Sequence, residues 1–127
     1  MKVKSCNTVN VVERFGNSLH IDYYFTKVQP LNKDDMKELI ENIVKEIGMN
    51  IHKDVHIEYY KGRDEHTEGY SCMCFLDTSS LTVHTNPYSS RVYLDLFSCK
   101  SIDARKLIKY LNGYFKSDMF SFYLIDR

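Results

Sequence analysis

The chain has no tryptophan, only two prolines and only five glycines in 127 residues. With so few breakers, no Pro-rich or Gly/Ser-rich linker divides it. An excess of one charge is also missing. Seventeen Lys and Arg balance 17 Asp and Glu, for a formal net charge of +0. A neutral chain lacks the broad cationic field that draws nucleic acid or anionic membrane, so neither partner is expected. No apolar run is long enough to span a bilayer. The opening MKVKSCNTVN lacks the apolar centre of a signal peptide, which makes the cytoplasm the expected location. Closely spaced cysteine pairs are scarce as well. Of Cys6, Cys72, Cys74 and Cys99, only Cys72 and Cys74 stand close together. A structural zinc site calls for two such pairs, so no metal is expected and Cys72 and Cys74 read as small buried apolar residues. The ten tyrosines have no basic patch beside them and do not make a base-stacking surface.

What is present is periodicity. In SLHIDYYF, Leu19, Ile21, Tyr23 and Phe25 alternate on one face of a strand. Asn32 can cap a helix with Asp34 and Asp35 in its first turn and Met36, Leu39, Ile40, Ile43, Val44 and Ile47 as its stripe, and Gly48 can end it. Four more strands follow: VHIEYY (Val55–Tyr60), YSCMCFL (Tyr70–Leu76), SSLTVHT (Ser79–Thr85) and RVYLDLF (Arg91–Phe97). Lys61–Gly69, KGRDEHTEG, is the densest polar stretch and reads as a solvated loop. A second helix fits Ile102–Asn112, with Ser101 as cap, Ala104, Leu107, Ile108 and Leu111 as stripe, and Gly113 as stop. MFSFYLI (Met119–Ile125) is the last strand.

The order β-α-β-β-β-β-α-β predicts a single α+β domain over residues 1–127, a two-layer sandwich with both helices on one face of a mainly antiparallel sheet. Two helices hardly cover both faces of six strands. The third, fifth and sixth strands are apolar on both sides, so a homodimer, closed through the open face or along an edge, is expected.

Four polar residues, Ser71, Ser79, His84 and Cys99, stand in or beside these apolar strands. Singly, each has an ordinary reading as a turn, ladder or core residue. Their spacing, however, resembles the small bacterial-type S-adenosylmethionine decarboxylases. The segment Tyr70–Cys99, YSCMCFLDTSSLTVHTNPYSSRVYLDLFSC, carries that family's strand led by a serine, its processed serine before an apolar pair, its His-Thr-x-Pro and its closing Asp-x-Phe-x-Cys. Here these are Ser71, Ser79, Leu81, Thr82, His84, Thr85, Pro87, Leu94, Asp95, Phe97 and Cys99.

The resemblance implies a proenzyme that cuts itself between Thr78 and Ser79 into 1–78 and 79–127. Ser79 would become a covalent pyruvoyl (pyruvate) group that forms a Schiff base with the substrate. His84 would be the processing base, Ser71 its assistant, and Cys99 the acid that reprotonates the product. The implied activity is decarboxylation of S-adenosylmethionine for spermidine and polyamine biosynthesis. Two positions depart from the family pattern: Thr78 and Tyr88 stand where it has Glu. Arginine or ornithine decarboxylation by the same chemistry, and a non-catalytic regulatory homologue, are the alternatives. The residues that bind substrate are left unassigned.

Overall fold

The computed structural model describes residues 15–127, so the expectations for Cys6 and the first ten residues lie outside the described part. The elements in chain order are β1 (Asn17–Tyr23), α1 (Lys33–Glu46), β2 (His52–Tyr60), β3 (Gly69–Leu76), β4 (Ser79–Asn86), β5 (Arg91–Ser98), α2 (Ala104–Phe115) and β6 (Phe120–Asp126). The polar stretch before β3 holds one 3-10 turn, Glu65–Thr67.

The strands form one sheet in the order β2-β3-β4-β5-β1-β6, and every neighbouring pair is antiparallel. Alternation assigns the faces. Leu19, Ile21 and Tyr23 pair across to Leu96, Leu94 and Val92, and Leu81 and Val83 pair with Cys74 and Cys72. All ten are buried beneath the helices. The fold is thus the predicted α+β two-layer sandwich.

Helix α1 buries Met36, Leu39, Ile40, Ile43 and Val44. Its Asn32 side chain accepts the Asp35 N–H at 2.8 Å, which satisfies one of the orphan amides of the first turn. Gly48 (φ +69) follows its C-cap. Helix α2 departs from expectation at both ends. Its cap is Asp103, which accepts the Lys106 N–H at 3.2 Å, rather than Ser101. The helix also continues through Gly113 and ends at Lys116, in a left-handed conformation with φ 48. The extension places Phe115 in the core, with its ring 5.0 Å from that of Tyr23. Burying a phenylalanine contributes about 2 kcal/mol, more than the roughly 1 kcal/mol that a helical glycine costs. Tyr23 also donates to the Asn112 side chain at 2.5 Å, which ties β1 to α2.

Phe25 does not join its predicted strand. β1 ends at Tyr23, and Phe25, at φ 55, is 70% exposed. The next amide, Thr26 N–H, is taken by the Ser90 carbonyl at 3.0 Å, so the chain turns toward the β4–β5 connection instead of extending.

The opposite face has no covering layer. It presents Met73, Phe75, Tyr123 and Ile125, all about half exposed or more, with the half-buried Tyr93 and Phe97 among them. Polar residues interrupt it: His20 and Asp95 pair at 2.7 Å.

Candidate active site

Strands β3 and β4 form a hairpin closed by the two residues Asp77 and Thr78, with Leu76 opposite Ser79. Only Asp77 of the two has positive φ, 58, the arrangement of a tight type II′ turn. Ser79 is therefore the first residue of β4. Its side chain lies on the helix side with Leu81 and is 4% exposed.

Cys99 follows directly on β5 and meets this turn. Its N–H donates to Ser79 Oγ at 3.2 Å. Its Sγ lies 3.8 Å from Ser79 Oγ and 2.7 Å from Thr78 Oγ1. Together with Met49, Asn50, Leu76, Asp77 and Lys100, these residues line a cavity of about 270 Å³. The hydroxyls of Thr78 and then Ser79, with smaller help from its own backbone N–H and from Lys100, lower the Cys99 thiol below its ordinary range. Burial does the reverse to the two core thiols, raising Cys72 to about 12 and Cys74 to about 11. Cys72 and Cys74 are thus inert core residues, as the spacing suggested, and Cys99 alone of the three is exposed and activated.

Ser71 and His84 form a second pair. They are cross-strand partners, and Ser71 Oγ lies 2.9 Å from His84 Nδ1. Gly69 allows this approach: a Cβ there would stand 1.8 Å from the Thr85 carbonyl oxygen, so only glycine lets β3 start so close to β4. The pair lies on the uncovered face, in a cavity of about 180 Å³ lined also by His56, Glu58, Tyr60, Cys72, Met73 and Thr82.

The structure therefore brings the four predicted residues together as two pairs and not as one site. Ser79 and His84 are five residues apart on a continuous strand. Five residues span about 16 Å, and an odd separation points the two side chains to opposite faces. The bend that would have returned His84 to Ser79 is absent from β4.

Sequence reasoning missed Glu58, which is the cross-strand neighbour of Ser71 and whose carboxylate lies 3.2 Å from His56 Nε2. The alternation of VHIEYY carried the signal, since His56, Glu58 and Tyr60 fall on one face of β2. Tyr88 is 56% exposed and lines neither cavity. Among the described residues no group of three or more His, Cys, Asp or Glu is placed to hold a metal ion. No described helix is long and apolar enough to cross a membrane.

The profile of the S-adenosylmethionine decarboxylase family matches residues 17–127. An S-adenosylmethionine decarboxylase proenzyme of Clostridium botulinum (strain Loch Maree / Type A3) is 28% identical over 98 residues, covering 76% of this chain and 79% of the relative. The proenzyme of the Langeland strain is 36% identical over 47 residues, 36% of this chain and 40% of that one. The crystal structure of the adenosylmethionine decarboxylase from Aquifex aeolicus VF5 superposes with a TM-score of 0.71 at 18% identity, covering 91% and 92% of the two chains. It shares the fold.

Proposed function

The chain belongs to the S-adenosylmethionine decarboxylase family, and from that premise we propose that it is a proenzyme that cuts itself at Thr78–Ser79 and then works as a dimeric pyruvoyl-dependent decarboxylase. The observation that carries this reading is the Ser79–Cys99 pair at the hairpin turn, with a second polar pair, Ser71–His84, held ready on the uncovered face.

Ser79 Oγ is anchored by the Cys99 N–H beside the peptide carbonyl it would attack. In the proposed first step Ser79 Oγ bonds to the Thr78 carbonyl carbon. The Thr78–Ser79 C–N bond breaks, and the hydroxyl proton passes to the freed amine. Adjacency is the main driving factor, because the reaction is intramolecular. A base then takes the Ser79 Cα proton, and the ester C–O bond breaks to release Thr78 as a carboxylate. Water finally displaces the nitrogen as ammonia and leaves a ketone.

The site fits that group. Position 79 is buried at the rim of the 270 Å³ cavity, and a thiol stands beside it. A pyruvoyl group supplies a ketone that condenses with an amine and a carbonyl system that accepts the electron pair left when carbon dioxide departs. Cys99 is placed to hold the proton that the product carbon needs, and its lowered pKa makes the thiol a readier donor of that proton near neutrality.

His84 is assigned as the base, and it cannot reach Ser79 of its own chain. A second copy removes the obstacle of distance along the strand. Two sheets packed through their uncovered faces lie about 10 Å apart. A twofold axis running across the strands sets the Ser71–His84 end of one sheet against the Ser79 end of the other. The same packing buries Met73, Phe75, Tyr123 and Ile125.

The substrate in this reading is S-adenosylmethionine, a cation. Glu58 and Asp77, one in each cavity, are the carboxylates available to face it, and aromatic residues such as Tyr60 can lie against it. Arginine or ornithine is the second reading. It is favoured by Thr78, which turns a hydroxyl to Cys99 where the family carries Glu. The test is release of carbon dioxide from each substrate at equal concentration by the processed protein. Release from S-adenosylmethionine above the other two supports the first reading, preference for arginine or ornithine supports the second, and no release from any of them contradicts both.

A further inference from the structure

Both side-chain contacts of the Cys99 thiol come from one dipeptide, Thr78–Ser79, and the shorter is to Thr78: 2.7 Å from Oγ1 to Sγ, against 3.8 Å from Ser79 Oγ. Thr78 is exposed. Its place in the turn is not dictated by backbone strain, since Asp77 carries the positive φ. Its hydroxyl is free to turn to solvent, yet it faces the sulfur.

We propose that Thr78 is a positioning residue for Cys99, its hydroxyl holding the sulfur against Ser79 and setting the thiol's strength as a proton donor. The role deepens the decarboxylase reading and rests on it for its catalytic meaning, but the contact exists in the uncut chain. A hydroxyl is suited to the place. It donates to an ionised sulfur or accepts from a neutral thiol, and it is short enough to reach from a turn residue. A carboxylate at the same position would oppose ionisation of the thiol. The other charged groups facing the sulfur are Lys100, beside it in sequence, Asp77, which lines the same cavity and lies 3.7 Å from His52 Nδ1, and, once the chain is cut, the new terminal carboxylate of residue 78, which every Thr78 variant keeps. None of these groups is removed when Thr78 is substituted. Substitution of Thr78 therefore isolates the hydroxyl.

The test is alkylation of Cys99 by iodoacetamide in the full chain, followed peptide by peptide in the mass spectrometer from neutral to alkaline pH. Thr78→Val keeps the shape and removes the hydroxyl. It should slow Cys99 alkylation near neutral pH about fivefold, the weight of one net hydrogen bond, and move the rate profile to higher pH. Thr78→Ser should restore the wild-type profile. Thr78→Ala, with no bulk to disturb the turn, should behave as Thr78→Val does. Profiles of Thr78→Val and Thr78→Ala that overlay the wild type would overturn the proposal. Intact mass is read on the same samples. A wild-type chain that stays uncut yet shows the Thr78-dependent profile refutes self-processing and upholds the contact, so the two ideas fail separately.

Discussion

Ser79 and His84 occupy the same strand, β4, yet face opposite sides of the sheet from opposite ends of that strand. Each has its own local partner: Cys99 for Ser79 and Ser71 for His84. The distance between the pairs is the reason the proposed site takes one half from each of two chains.

Cys99→Ala should leave self-cleavage working and impair turnover. The backbone N–H of residue 99, which holds Ser79 Oγ, survives the substitution. Loss of a positioned acid costs about a hundredfold or more in kcat. Intact mass should still show both fragments while carbon dioxide release falls. Unchanged kcat in the variant would remove Cys99 from the mechanism.

Phe75 is 64% exposed in the single chain, on the uncovered face. Phe75→Asp places a charge where the second sheet is proposed to pack, and burying an unpaired charge is costly. Sedimentation should show the dimer lost, with self-cleavage lost alongside it and the secondary structure retained. A folded monomer that still cuts itself would contradict the two-chain site.

Much of the fold was legible because its signals are local. The alternation of LHIDY and of RVYLDLF, the Asn32 cap and the α1 stripe each depend on a few neighbouring residues, and each reappears as predicted. The end of α2 was not legible. Gly113 reads as a stop until Tyr23, ninety residues earlier in the chain, offers Phe115 a ring to pack on. In the candidate site Ser71, Ser79, His84 and Cys99 are singled out by a family resemblance, and their grouping could not be read from the sequence. Grouping depends on the β3–β4 register, which pairs His84 with Ser71, and on the parity of a five-residue step, which turns it away from Ser79. Glu58 enters only once β2 is laid against β3.

Asp22 gives a pH signature on the uncovered face. Burial, and then repulsion from Asp95, raise its carboxyl above the ordinary 3.8, and His20 and Arg91 act against them. A carboxyl raised in the folded state favours folding when protonated. That contribution is full below the unfolded value and is lost as pH rises through the folded one. The ionised form at neutral pH is thus mildly destabilising. Asp22→Asn should raise Tm by about 1–2 °C at neutral pH, a small figure because the group is only half-buried and water still screens it. The gain should vanish once the pH falls below 3.8. An equal gain at both pH values would mean that charge is not the cause.

The most direct measurement of the two-chain site is complementation between two uncut variants. Ser79→Ala lacks the nucleophile and His84→Ala lacks the base, and each alone should remain a single chain. Co-expressed with tags of different mass, the His84→Ala chains should be cut after Thr78, because a Ser79→Ala partner supplies Ser71 and His84. The Ser79→Ala chains should stay whole. Intact mass spectrometry reads both outcomes in one spectrum. Cleavage confined to the His84→Ala chain is the predicted result. A mixture that stays wholly uncut while the wild type cuts would contradict the account.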